Sequence, residues 1–222
     1  MRKHLLLGFL SILTFGSVKA QEINFGVKGG LNISNLHSSN TPVDEITESR
    51  TGFHAGAFGE LRFSNLFALQ VEALYSQQGA TTTIAYIPID PPGELGYFKQ
   101  SYTKQQNQDL EAKGRYDYLN LPVLAKFYVY KGLNVYGGPQ LSVLLSAKDE
   151  YESVENDVKD QLDPFDFGLN GGVGYQFEMG LFFSASYYWG INNISHIDYS
   201  NVLGYDINIH QGAFQFSTGY RF

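Results

Sequence analysis

The end of the chain alternates between two kinds of side chain with a period of two. In residues 214–222, the aromatic side chains share one face of an extended strand, whereas Gln215, Ser217 and Arg221 share the other. A strand with an exposed aromatic face is an aggregation hazard in water. The pattern therefore favours a strand whose outer face contacts lipid and which closes a barrel that has no free edge.

Seven further segments show the same alternation. They lie at about 23–33, 51–62, 66–78, 116–130, 133–147, 165–177 and 181–191. Each is long enough for a tilted transmembrane strand, which needs about 9–11 residues. Together with the C-terminal segment, they predict eight strands, with residues such as Leu121 and Val173 on the outward face.

The opposite face of these strands carries charged side chains. They are Lys28, Glu60, Arg62, Glu72, Lys126, Asp166 and Arg221. A soluble sandwich turns its apolar faces inward and its polar faces outward, whereas a membrane barrel has the reverse arrangement. The sequence therefore predicts an all-β fold, an eight-stranded antiparallel transmembrane β-barrel of the outer-membrane type. A soluble sandwich or lipocalin-like barrel is the alternative.

The connections between the predicted strands alternate in length. Short turns are predicted around 64–65, 130–132 and 178–180. Four long segments separate them, and these lie at about 34–51, 79–115, 148–164 and 192–207. Short periplasmic turns and long extracellular loops are typical of outer-membrane barrels. The even number of strands then predicts that both termini lie on the periplasmic side.

The N-terminus has the pattern of a secretory signal peptide. Arg2 and Lys3 precede an apolar run of 11 residues, and small or apolar residues lead up to a predicted cleavage site after Ala20. Residues 1–20 are thus predicted to be removed, which leaves one barrel domain at 21–222. That domain holds 12 basic and 22 acidic residues and no Cys, which argues against nucleic-acid binding and excludes thiol chemistry.

Five motifs resemble the PorT-like outer-membrane β-barrel family of Bacteroidetes, and together they span the mature chain. They are FGVKGGLN at 25–32, YLNLP at 118–122, GGP at 137–139, DFGL at 166–169 and GYRF at 219–222. The resemblance implies a barrel in the cell outer membrane. A final Phe also resembles the signal that the assembly machinery of such barrels reads. The founding member of the family is tied to protein secretion, but the resemblance does not imply that role for this chain.

The lumen of an eight-stranded barrel is just wide enough for side chains to fill it. The inward charges are therefore predicted to form ion pairs, with Glu60, Glu72 and Asp166 as the acidic partners. Four bulky residues of the inward face are predicted to complete the plug: Phe58, Leu74, Tyr128 and Tyr136. A narrow conduction path is the alternative.

The four histidines of the mature chain offer no catalytic site that spacing supports. His37 and His196 are predicted in outer loops, His54 in the lumen near the outer rim, and His210 on the outward face near that rim. Because an enzyme of this class needs a nucleophile, a base and an orienting group, no catalytic residue is predicted. No cofactor or metal site is predicted either. A lipid-modifying enzyme is the least favoured alternative.

Two long loops are the predicted sites of partner binding. Segment 148–164 has a net charge of −5 and is predicted to be a solvated loop, with loose binding of a divalent cation as an alternative. Segment 79–115 contains the turn signal DPPG at 90–93, so the flanking strands are predicted to continue above the membrane as a hairpin. The predicted protein is a non-enzymatic, monomeric barrel with a structural or partner-binding role. A pore or a component of transport or secretion is the alternative.

Overall fold

The computed structural model describes residues 22–39, 47–84, 110–151, 154–194 and 208–222. The predicted signal peptide lies outside these ranges. The described segments form ten strands and a short 3₁₀ helix at Lys159–Gln161. The strands are β1 (Glu22–Ser39), β2 (Thr47–Arg62), β3 (Phe67–Gln78), β4 (Ala80–Ile84), β5 (Leu110–Tyr130), β6 (Leu133–Tyr151), β7 (Val154–Asp157), β8 (Phe165–Gln176), β9 (Leu181–Gly190) and β10 (Asn208–Arg221). No helix among these residues is long and apolar enough to span a bilayer.

Eight of the strands close into an antiparallel barrel in the order β1, β2, β3, β5, β6, β8, β9, β10. The last strand returns to the first, with Gly26 opposite Arg221 at one end of the seam and Ser39 opposite Asn208 at the other. The remaining two strands, β4 and β7, lie beyond the end of the barrel that carries the long connections. The predicted fold class is therefore confirmed.

The two faces of the strands differ as the alternation predicts. Along β8 the side chains are alternately exposed and buried, with Val173 52% exposed and Asp166 fully buried. The exposed positions are apolar, so this surface matches the lipid-facing band of a membrane barrel. Aromatic rings cluster on it near the short turns, as in the Phe63, Phe67 and Phe127 group, whose neighbouring ring centroids lie 5.5 and 5.1 Å apart. Such a girdle marks the membrane interface in barrels.

The three short turns connect β2 to β3, β5 to β6 and β8 to β9. Lys131 and Gly132 have φ values of 38° and 89°, so both central residues of the second turn are left-handed. This is the geometry of a two-residue type I′ hairpin, whose twist matches that of the flanking strands. All three predicted turns are confirmed.

The long connections are shorter than predicted because the strands continue past the lipid-facing band. β1 reaches Ser39 and β2 begins at Thr47, although the predicted loop spanned 34–51. Segment 148–164 is not simply a solvated loop, since β6 extends to Tyr151 and pairs with β7. The alternation fades there because a sheet in water on both sides needs no apolar face. The turn signal at 90–93 and residues 195–207 lie outside the described residues.

Several glycines on the inward face allow close approach of neighbouring strands. A Cβ on Gly56 would overlap the backbone of Ala73 on the neighbouring strand β3. At Gly171, on the lipid face, the nearest atom to an added Cβ is the Tyr136 carbonyl oxygen at 3.7 Å. Glycine at position 56 is thus required by packing, and at 171 it is not.

We expect Gly56→Ala to lower the free energy of unfolding by about 1–3 kcal/mol, the usual cost of overpacking a rigid interior. Gly171→Ala is the matched control and should leave stability nearly unchanged. Urea titration of the barrel folded in lipid vesicles measures both. A similar loss in both variants would contradict the assignment of Gly56 to a close strand contact.

Candidate functional site

Buried ion pairs fill the half of the lumen that is nearest to the short turns. Lys28 Nζ lies 2.9 Å from Glu72 Oε2, and the two side chains are 4% and 1% exposed. Lys126 Nζ lies 2.8 Å from Glu60 Oε2. Gln70 links the two pairs, because it accepts a hydrogen bond from Lys126 and donates one to Glu72. The predicted pairing of these inward charges is confirmed.

Aromatic side chains close the lumen beside this network. The rings of Phe58 and Phe182 meet edge to face, with centroids 5.5 Å apart. The free space that Lys28, Tyr136 and Phe182 help to line is only about 20 Å³, which is enough for a single water molecule. All four residues predicted to plug the lumen lie on its inner face: Phe58, Leu74, Tyr128 and Tyr136.

We expect the purified barrel to give no steady, large conductance in planar lipid bilayers, because aromatic side chains and ion pairs fill the cross-section of the lumen. The double variant Phe58→Ala, Phe182→Ala removes the two rings and serves as the comparison, since it should raise the frequency of openings. Reproducible large channels from the wild-type protein would contradict the plugged lumen and favour a pore.

A serine, a histidine and an asparagine form a hydrogen-bonded row further along the lumen. Ser217 Oγ lies 2.8 Å from His54 Nε2, and His54 Nδ1 lies 2.7 Å from Asn32 Oδ1. The Asn32 amide nitrogen donates to Ser76 Oγ and to the Gln77 carbonyl, so its oxygen is free to accept from the His54 Nδ1–H. In the neutral tautomer with its hydrogen on Nδ1, His54 Nε2 accepts from the Ser217 hydroxyl.

This row has the order of a nucleophile, a base and an orienting group, and sequence spacing did not reveal it. Gly30 of β1 pairs with His54 on one side and with Ser217 on the other, so strand register brings the two together. All three side chains are at most 6% exposed. Neither His54 nor Ser217 lines the lumen space beside Lys28 or the cavity at the short-turn mouth. The row therefore acts as polar packing between β1, β2 and β10.

The end of the lumen nearest to the long connections combines polar side chains with a buried cluster of Tyr116, Tyr118, Leu144 and Ala147. Asp166 is fully buried and accepts a hydrogen bond from Tyr188 at 2.8 Å. Its predicted role as an ion-pair partner is wrong, because Lys28, Arg62 and Lys126 all lie toward the other end of the barrel. Among the described residues, Ser142 of β6 is opposite Asp166 in the register of β6 with β8.

The structure revises the predicted places of two histidines. His54 lies on the inner face as predicted, but it is 1% exposed and deep in the lumen. The reason is that β2 begins at Thr47, seven residues before His54, so the strand continues well past this position. His37 belongs to β1 and faces His210 across the seam, so it is not in a loop. His210 lies at the rim as predicted, with Nδ1 3.1 Å from the Asn192 carbonyl oxygen. His196 lies outside the described residues.

Beyond the barrel, five strands form a continuous sheet at the end with the long connections. Its order is β2, β4, β5, β6, β7, and the pairs Ser49–Ala80, Thr81–Lys113 and Glu150–Glu155 fix its register. The pairing of β4 with β5 confirms that the strands flanking the 90–93 turn signal continue as a hairpin. In the described ranges, β7 pairs with β6 only.

A shallow cavity of about 300 Å³ lies on this sheet. Its charged lining residues are Arg50, Lys113, Arg115, Lys148, Glu150 and Glu155. Lys148 Nζ lies 2.9 Å from Glu155 Oε2, and this hydrogen bond lowers the pKa of the Glu155 carboxyl below its ordinary value. Across the described residues, no group of three His, Cys, Asp or Glu side chains is placed to hold a metal ion.

The fold is similar to those of small outer-membrane barrels. Neisserial surface protein A has 13% sequence identity and a TM-score of 0.52, with 89% of this chain and 97% of that chain covered. OprG from Pseudomonas aeruginosa has 14% identity and a TM-score of 0.45, with 91% and 97% covered. The attachment invasion locus protein Ail of Yersinia pestis has 16% identity and a TM-score of 0.43, with 90% and 99% covered.

At these identities the solved structures show the fold alone. No curated protein matches the chain. The family model that matches is described as outer membrane protein beta-barrel domain, and it covers residues 19–196, which is most of the sequence. Together with the closed eight-stranded barrel, this match shows that the chain belongs to the outer membrane protein beta-barrel domain family and is a protein of the cell outer membrane.

Proposed function

We propose that this barrel is a non-enzymatic protein that binds a protein partner through the sheet above the membrane. The observation that carries the proposal is the five-stranded sheet that continues beyond the barrel, which membrane anchoring alone does not need. Strand β7 presents an edge that has no partner strand among the described residues. Such an edge can accept an extended segment of another protein by β-augmentation.

The charges on the sheet support a polar contact surface. Arg115 is 3.7 Å from Asp117, and Lys148 pairs with Glu155, so cations and carboxylates alternate over a short distance. A pattern of mixed charges favours a partner with the complementary pattern in one orientation, because any other alignment places like charges opposite each other. The membrane barrel then serves as the anchor that holds this surface outside the cell.

The plugged lumen and the buried Ser217 row support the non-enzymatic part of the proposal. A hydrolase would need a nucleophile that substrate can reach, and Ser217 is packed between strands. We also propose that the chain is a PorT-like member of its family, on the motifs at 25–32, 118–122 and 219–222. The signal peptide at 1–20 and the mature domain at 21–222 are part of the same proposal.

Site-specific photo-crosslinking in intact cells tests the binding role. A crosslinking residue at Glu155, on β7, should capture one partner reproducibly. The matched control carries the same residue at Met179, which is 69% exposed in a short turn at the other end of the barrel. Capture of the same proteins from both positions, or of none from Glu155, would contradict the proposal.

A further inference from the structure

The mouth of the barrel at the short turns contains a cavity of about 740 Å³. Arg62, Tyr128, Gln176 and Arg221 line it, and each of these lies on the inward face of its strand. In barrels of this class the short turns face the periplasm. The cavity is therefore open to soluble molecules of that compartment and is separate from the sheet above the membrane.

Three cations share one carboxylate at the inner end of this cavity. Glu60 is 2.8 Å from Lys126 Nζ, 3.5 Å from Arg221 Nη1 and 3.8 Å from Arg62 Nε. The Tyr128 hydroxyl also donates to Glu60. One carboxylate cannot neutralise three cations, so this cluster has a formal charge of +2.

The other charged side chains near the mouth do not remove this excess, and the terminal carboxylate belongs to Phe222, which is 73% exposed at the rim, where solvent screens it. Glu72 is matched by Lys28 in the next layer of the lumen. Lys131 and Glu178 both line the cavity from the turns and offset each other. Glu22 stands opposite Arg62 in the register of β1 with β2, but it is exposed to solvent at the rim, where water and salt weaken its attraction.

The Arg62 side chain is held in place at the wall of the cavity and is 23% exposed. Its guanidinium carbon lies 4.2 Å from the centre of the Tyr128 ring, which orients the guanidinium plane. Its Nε is buried on the side of Glu60, 3.8 Å from Oε1, so the outer guanidinium nitrogens are the ones that a molecule in the cavity would meet. Arg221 lies beside the same carboxylate, and its side chain is 19% exposed. Guanidinium groups bind carboxylate and phosphate oxygens through two parallel hydrogen bonds.

We propose that the short-turn mouth is a binding site for a small soluble oxyanion, of the phosphate or carboxylate class. The anion accepts hydrogen bonds from Arg62 and Arg221 and offsets the excess charge around Glu60. It enters from the short-turn side and goes no deeper, because the Phe58 and Phe182 rings close the lumen above. The site is independent of any partner that binds the extracellular sheet.

Calorimetric titration of the detergent-solubilised barrel tests this site. Inorganic phosphate, acetate and chloride are titrated separately at one ionic strength, so that phosphate and carboxylate binding are distinguished from screening. Arg62→Gln should weaken binding about tenfold or more. Arg62→Lys should weaken it less, because lysine keeps the positive charge but cannot donate two parallel hydrogen bonds as a guanidinium does. Glu22→Gln removes a competing carboxylate and should strengthen binding. Lys159→Gln, in the 3₁₀ helix at the opposite end, is the control and should leave anion binding unchanged.

The mobility of unheated samples on gels shows which variants are folded. Tighter binding of phosphate or acetate than of chloride, with the opposite effects of Arg62→Gln and Glu22→Gln, supports the site. Equal heats for all three anions, or the same affinity in Arg62→Gln and Lys159→Gln, would overturn it. If Arg62→Gln does not fold, Arg62→Lys and Glu22→Gln still decide between these results.

Discussion

Replacing Lys28 by methionine is expected to lower the free energy of unfolding by about 3–5 kcal/mol, the usual cost of removing one partner of a buried ion pair. Glu72 is 2% exposed, and without Lys28 its carboxylate keeps only the hydrogen bond from Gln70. The penalty is that of a charge left without a partner in an environment of low polarity.

The double variant Lys28→Met, Glu72→Leu distinguishes this cause from a loss of packing. Because it removes both charges, stability should return close to that of the wild type. Lys148→Met breaks the exposed pair with Glu155 and should leave stability nearly unchanged, because solvent screens exposed charges. Urea titration in lipid vesicles measures all three. If Lys28→Met alone were as stable as the wild type, water would have to reach Glu72 and solvate its carboxylate.

Val173→Lys is expected to lower the free energy of unfolding by about 2–4 kcal/mol, because it places a cation on the lipid-facing surface. Val173 is 52% exposed on the outward face of β8. The control Val173→Met has a side chain of similar length and no charge, so it should cost little.

Asn170→Lys places the same charge on the inward face of the same strand. Asn170 already donates to Gln140 Oε1 at 2.9 Å and to Gln215 Oε1 at 3.3 Å, and an ammonium group would find the same acceptors. Its penalty should be smaller than that of Val173→Lys. The same denaturant titration compares them, and equal losses at both positions would contradict the assignment of lipid and lumen faces.

The barrel and its lumen charges were predictable because a membrane imposes a simple rule on each strand. Lipid demands an apolar outer face, so the side-chain period of two identifies Val173 as outward and Lys28 as inward without knowledge of any neighbour. The short turns were predictable for a local reason as well, since a sequence such as Lys131-Gly132 permits the left-handed backbone that a tight hairpin needs.

Features that depend on register were not predictable. The contact of Ser217 with His54 exists because both lie beside Gly30 in the closed sheet, and periodicity within one strand cannot specify that alignment. Among the residues that the structure describes, Asp166 has no basic partner, and this has the same origin, because depth in the lumen depends on the stagger between strands. The extension of β6 to Tyr151 was missed because no lipid enforces an apolar face there.

The seam between β1 and β10 has a consequence for how the chain folds. It joins Gly26 to Arg221, residues from opposite ends of the chain, so the contacts that complete the barrel are those with the largest loop-closure entropy. Until they form, β1 and β10 each expose an unpaired edge along their whole length. Two unfinished chains can satisfy those edges by exchanging strands, so slow closure favours domain-swapped dimers and aggregates over the monomer.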